Sequence, residues 1–573
     1  MNVVRRLPLV AVTILLTTAI ACSAGGTQDP SPAPVAGVQI QPPSAYVAPG
    51  DTVSFSASVP SAPQAVTWSV QESGGGSVTE SGIYTAPQET GTYHVVAQSA
   101  DGTQSAEATI NVSTTPPPPQ GGPQFYVATN GNDSDPGTEA QPWRTIQKAM
   151  NSATAGSTVN IRGGTYNERL VVNVSGSSGN YITFQPYGFD VTSARCGGYT
   201  GVACGGERVV LDYAYLGTNT SATPLLLISG KSYIRIQGLT FQNFTCTGAM
   251  QQGIRVDGPS SYVELKYNRI LNARNVGGQA GQHTDALAPL RVWGGWDGAS
   301  NVTIYGNELG NLRVSDGEAI TSQGASYMTI ENNWLHDIDA IGIDCAWGGS
   351  TSNVVRGNRL EYVAKSRDGS LAVPGAYSAG IYLSGASDSV VERNSCNYCA
   401  NALQIVSEPG YPATHDNVIR NNVVANSSSG IVIGSWYVSS DDGSVYNIAV
   451  ENNTFYGNDV GMQIRPFSPG GVRWKNNVFS NNGTNYANSG GWTPGNADYN
   501  LYSGGNSGPD AHPVLASPQF TNAGAGDFTL AAGSPAIDAG DPGASTSDVG
   551  TTDFAGLSRI LGGRVDIGAY ERP

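Results

Sequence analysis

The feature that most constrains the fold is an asparagine that returns in one local setting along the middle of the chain. It stands at Asn268 in ELKYNRI, Asn307 in TIYGNEL, Asn333 in TIENNWL, Asn358 in VVRGNRL, Asn394 in VVERNSC, Asn422 in VIRNNVV, Asn453 in AVENNTF and Asn477 in RWKNNVF. Successive copies are never closer than 24 residues and are often further apart. A floor with variable excess is what a solenoid produces, because each coil has a fixed core and loops of free length. Asparagine tolerates the left-handed backbone of a sharp corner, and identical amides stacked there can form a ladder. All eight asparagines are therefore assigned to structure.

A second strand precedes each of these: GIRV from Gly253, PLRV from Pro289, AITS from Ala319, GIDC from Gly342, GIYL from Gly380, ALQI from Ala402, GIVI from Gly430 and GMQI from Gly461. Side chains alternate across a strand, so the aliphatic residues point into the coil. The outward position after the first aliphatic then reads Arg255, Arg291, Thr321, Asp344, Tyr382, Gln404, Val432 and Gln463. Two residues on it reads Asp257, Trp293, Gln323, Ala346, Ser384, Val406, Gly434 and Arg465. Coils that stack in register turn each set into a column. The extra residues, among them NVGGQAGQHTD, AKSRDGSLAVPGAYSA and EPGYPATHD, flank these same strands, and a repeat protein places its insertions on its binding face. The expected fold is all-β, a right-handed parallel β-helix preceded by a small sandwich.

The segment from Gln124, FYVATNGNDSDPGTEAQPWRTIQKAMNSATAGSTVNIRGGTYNERLVV, reads as strand, polar turn, helix from about Trp143 to Ser152, and strand, with Ile146, Ala149 and Met150 as the helix's apolar stripe. It resembles the opening of secreted right-handed parallel β-helix proteins of the pectate-lyase-like superfold, which implies that the helix caps the first coil. Ahead of it, residues 35–113 hold short alternating strands with frequent turns and resemble bacterial immunoglobulin-like spacer modules. A proline-rich linker covers 114–123, the β-helix 124–505, and a Gly- and Asp-rich tail 506–573 that resembles the closing segment of such proteins and is expected to cap the last coil.

The first 21 residues carry Arg5 and Arg6, an apolar run and small residues, the pattern of an export signal. The ending AIAC resembles a bacterial lipobox, which implies lipidation of Cys22, a tether over 22–34 and a place in the cell envelope, at the outer membrane or cell surface; simple cleavage would make the protein extracellular. Membrane contact is expected through that anchor alone, and the chain is expected to be a monomer. Export admits disulfides among the six cysteines other than Cys22: Cys196 and Cys204 could staple a loop, while Cys345, Cys396 and Cys399 suit the core.

A net charge of −16 with only 13% charged residues excludes nucleic acid as a partner. The column floor of Arg255, Asp257, Arg291, Trp293, Asp344, Tyr382 and Gln404 suits an extended polysaccharide, with rings for sugar faces and polar groups for hydroxyls. Two reactions fit. In β-elimination of a uronate, Arg255 and Arg291 or calcium would stabilise the developing charge, while Tyr382, Lys365 or His283 carries the proton. In hydrolysis, Asp344 would pair with Glu318, Asp285 or Glu408. Asp337 and Asp339, with Asp344 in HDIDAIGID, are candidates for calcium. The chain lacks the WIDH, NTD, GHG, RIK and DPHD motifs of known subfamilies, so the resemblance selects no enzyme. A polysaccharide lyase is the first expectation, resting on the arginines and on the superfold's habits; a glycoside hydrolase or a non-enzymatic adhesin are the alternatives.

Overall fold

The computed structural model describes residues 38–41, 44–47, 49–50, 52–58, 66–80, 82–99, 102–113, 122–191, 205–221, 223–248, 251–277, 286–295, 298–367, 378–408, 410–434, 444–465, 470–489 and 496–573. Cys22, Cys196, Cys204, His283 and Asp285 lie outside the described residues.

The chain forms two compact units, divided near Thr114. In the first, a four-stranded sheet, a three-stranded sheet and a strand pair enclose a core that includes Ile40, Phe55, Tyr84, Val95 and Ile110.

In the second unit, among the described residues, three parallel sheets run the length of a solenoid, two of them stacks of thirteen strands and the third a stack of eleven with two more strands paired at its side. The first sheet begins at Gln124–Val127, the second at Gly164–Tyr166 and the third at Leu170–Val172. Three strands form one coil, and the inward aliphatics of successive coils merge into a single apolar core. Cys345, Cys396 and Cys399 are buried free thiols in that core, as expected. The helix spans Ile146–Ser152 with Thr145 as its N-cap, and Ile146, Ala149 and Met150 are buried as anticipated. Trp143 stays outside the helix and stacks on Phe125 at 4.7 Å. The helix's leading N–H groups are taken by the Glu168 carboxylate, which accepts from Ile146 and Gln147.

The asparagine ladder is continuous. Nδ2 of Asn358 donates to Oδ1 of Asn394 at 2.9 Å and to the Ile330 carbonyl at 2.8 Å, while its own Oδ1 accepts from Nδ2 and the backbone N–H of Asn333. The same bonding links Asn268 through Asn477, continues to Asn500 and ends on the Asp510 carboxyl. One detail differs from expectation. The left-handed residue is the one before each ladder position, for example Asn332, Gly357 and Arg393 at φ 55°, 64° and 55°. The ladder amide can then turn inward, where it satisfies backbone groups that the corner strands in the dry core.

The tail also departs from expectation. It folds back along the outer face of the second sheet. Phe528 and Ala569 pack on Val423 and Ala425, and Leu530, Ala536 and Ile567 pack on Val478 and Leu501. Asn421 and Asn452 donate to the tail carbonyls of Val549 and Asp566, each at 2.8 Å. Earlier coils carry ion pairs on this face, such as Arg269 with Glu308 at 2.7 Å. The later coils substitute aliphatics, whose burial calls for a cover.

Candidate functional site

The third sheet carries the columns in the order the alternation implied. Arg255 pairs with Arg291, Arg291 with Thr321, Thr321 with Asp344, Asp344 with Tyr382 and Tyr382 with Gln404. Trp293, Gln323, Ala346 and Ser384 are likewise level with one another.

A third outward column brings in Glu318. It is level with Ile341, while Ala379 is level with Asn401. Strict alternation would send a residue three before Asp344 to the wrong face. Gly342 explains the exception: a Cβ there would stand 2.7 Å from the Gly380 carbonyl oxygen and 2.9 Å from Leu360 Cδ2. The glycine points inward in place of a side chain, so Ile341 and Asp344 both face out. Ile341 joins Ala379, Tyr382 and Val406 in an apolar cluster separate from the main core.

At the centre lies Asp344, 2% exposed. Its Oδ2 accepts from the Thr321 hydroxyl at 2.9 Å, and its Oδ1 is buried with no partner among the described residues. Burial, then the Glu318 and Glu408 carboxylates, push its carboxyl well above the ordinary range, against the pull of Thr321 and Arg291. Glu318 is pushed up to about 7, first by burial and then by Glu408 and Asp316, while Arg291 pulls it down. Arg291, also 2% exposed, donates from Nη2 to Gln323 Oε1 at 2.5 Å and lies 4.0 Å over the Trp293 ring. Burial lowers its guanidinium to about 10, with Glu318 opposing. Two buried carboxyls on adjacent coils, both raised by burial and both drawn down by Arg291, have the surroundings that suit acid–base chemistry.

The remaining candidates sort by contact. The Tyr382 hydroxyl donates to Glu408 Oε1. Its ring is buried in the apolar cluster, so it offers a phenol and not a stacking face. Glu408 is further held by its N–H, which donates to Ser384 Oγ at 3.2 Å. Gln404 is buried and accepts from Asn401 at 3.0 Å. Arg255 is matched to Asp257 at 2.5 Å, so the expected two-arginine clamp reduces to Arg291.

Lys365 is not in this group. Its Nζ donates to the Asn426 carbonyl at 3.1 Å, at a corner that follows the second sheet. Asp337 sits on the second sheet, in Trp334–Ile338, bridged to Arg367 and His336 at 2.8 Å. Asp339 accepts from the Val314 N–H at 2.7 Å. Neither joins Asp344 on the third sheet, and among the described residues no three His, Cys, Asp or Glu side chains converge on a position that could hold a metal.

Sequence reasoning missed Thr321, Gln323, Trp347 and Tyr411 as site residues. Thr321 and Gln323 were legible in the columns. Trp347 was signalled by the two glycines after it, which mark a break in the strand.

A family profile described as "Right handed beta helix region" matches residues 218–436 and 291–506, together half of the chain, and the chain belongs to that family. A second profile, "Pel9A-like, right handed beta helix region", matches 125–304. The "Uncharacterized protein YwoF" of Bacillus subtilis (strain 168) is 28% identical over 355 residues, covering 59% of this chain and 69% of that protein. Among solved structures, pectate lyase Pel9A is 16% identical, with 79% of this chain and 97% of that one covered at a TM-score of 0.40. The GH136 lacto-N-biosidase from Eubacterium ramulus is 15% identical, with 62% and 67% covered at 0.39.

Proposed function

We propose that this chain is a carbohydrate-active enzyme that hydrolyses a glycosidic bond over the third sheet. The observation that carries the reading is the pair of buried carboxyls, Asp344 and Glu318, that adjacent coils present on one face of the third sheet, both raised by burial. In this mechanism Asp344, whose carboxyl burial biases toward the protonated form, gives its proton to the leaving glycosidic oxygen as that bond breaks. Glu318, ionised, activates water or attacks the anomeric carbon as the positive charge on the sugar ring develops. Arg291 keeps Glu318 ionisable against burial, and Gln323 and Trp293 fix Arg291 in place.

The preference thus moves from elimination to hydrolysis, because the arginines are spoken for and Lys365 is elsewhere. One observation keeps a lyase as the second reading: the Tyr382 phenol, held by Glu408 and level with Asp344, is a proton carrier of the kind a uronate elimination uses. In either case the proposed setting is an exported protein tethered through Cys22, acting on an extended polysaccharide. The test is to incubate the full chain with neutral and uronate glycans, with and without calcium. Reducing ends without unsaturated product are expected; unsaturated product would establish elimination, and neither, across a broad set, would favour a binding protein.

A further inference from the structure

Beyond Ala346 the strand Ile341–Thr351 loses register with Ala379–Ser387, between Ala346 and Ser350. Trp347 occupies the slip at φ 66°, a left-handed conformation that bulky residues rarely adopt, and its side chain stays 37% exposed. Such strain persists only where the surroundings impose it. Here Gly348 lies against the loop carrying Tyr411 and Pro412; a Cβ on it would come within 2.7 Å of Pro412 Cγ.

The outcome is a strip of three rings. Trp347 stands 6.2 Å from Trp293 and 5.3 Å from Tyr411, centre to centre, the latter pair inclined by 30°. The strip runs along the ends of the strands whose middles carry Arg291 and Asp344. It is joined to the acid pair through Arg291, which covers one face of Trp293. The ring contacts come at the cost of a strained backbone, and the face they leave open is one that the C–H face of a pyranose can meet.

Charge narrows the ligand. Glu318 and Asp344 lie near Arg291, Glu408 adds a third carboxyl to their surroundings, and Arg255 is matched to Asp257. A polyuronate would add negative charge where carboxyls already oppose one another.

We propose that Trp347, flanked by Trp293 and Tyr411, is a stacking subsite for an uncharged pyranose, so that the site takes a neutral glycan and seats one ring beside the bond lying over Asp344. The position of that bond rests on the hydrolase reading; the stacking does not.

The test uses Trp347→Gly and Trp347→Phe in the full chain, each also combined with Asp344→Asn so that binding is read without turnover. Glycine adopts φ 66° freely, so Trp347→Gly should hold or raise the melting temperature. Binding of the Asp344→Asn protein to an array of neutral and uronate glycans should select neutral ones. That binding should fall about ten-fold or more with Trp347→Gly and recover in part with Trp347→Phe. Binding confined to uronate glycans, binding to none, or neutral binding indifferent to Trp347 would each overturn the subsite. Trp347-dependent neutral binding by a wild-type chain that cleaves nothing would keep the subsite and sink the hydrolase reading. Cleavage indifferent to Trp347 would do the reverse.

Discussion

The Thr321 hydroxyl donates across one coil step to Oδ2 of Asp344, and Oδ1 of the same carboxyl faces no partner in a buried setting. One oxygen is anchored and the other has no hydrogen-bond partner among the described residues. If Asp344 is the acid, Asp344→Asn should lower turnover by about 10²- to 10⁴-fold with the fold intact by circular dichroism. The Thr321 bond favours the ionised form, so Thr321→Val should raise the acid's pKa further. The alkaline limb of the rate profile should then move to higher pH, with a smaller loss of rate. A rate profile that ignores Thr321 would remove Asp344 from the proton-transfer step.

Glu318 makes a stability prediction. Its folded pKa of about 7 exceeds its ordinary 4.5, so the folded state binds the proton more tightly than the unfolded chain. The favourable contribution is present in full below pH 4.5 and is lost as pH rises through 7. Glu318→Gln, which mimics the protonated form, should therefore raise the melting temperature relative to wild type at pH 8 and give little difference at pH 4. Thermal scans at both pH values check it; turnover should fall at every pH.

Lys365 supplies the contrast. Because its ammonium is held at Asn426, Lys365→Ala should leave kcat and KM unchanged on whatever glycan the protein cleaves. Loss of activity without loss of melting temperature would bring a lysine base back into consideration.

Much of this was legible in the sequence, for a physical reason: parallel strands in register turn a period of two into columns, so Arg291, Thr321, Asp344 and Tyr382 could be aligned from text. What was missed lies where that period fails. The register slip after Ala346 exposes Trp347, while Glu318, already a candidate from the sequence, owes its outward face to the break in alternation at Gly342. Lys365 was placed in the groove because a loop's length says nothing of its direction. The left-handed corner falls one residue before the expected one because ENN offers two asparagines, and it is the second that turns inward to join the ladder. The tail's course was hidden because its partners are distant, as with Arg420 and Ser547, 127 residues apart.

The ladder can be tested at its middle. Asn358→Ala removes four hydrogen bonds inside the core and orphans the Ile330 carbonyl and the Asn333 amide. A destabilisation of at least about 2 kcal/mol is expected, measured by denaturant unfolding. A value near zero would mean that the amides stack without supporting the coil.

The returning tail alters how the solenoid can come apart. A stack that touches only its neighbours sheds its end coil first and unravels rung by rung. Here the last segment of the chain is bonded to coils near Asn421 and Asn452, well before the end of the stack. The terminal rungs are thereby tied into a closed loop of contacts, and none of them can peel away until the tail lets go. The coils from Asn421 onward should then give way as one block with the tail that holds them.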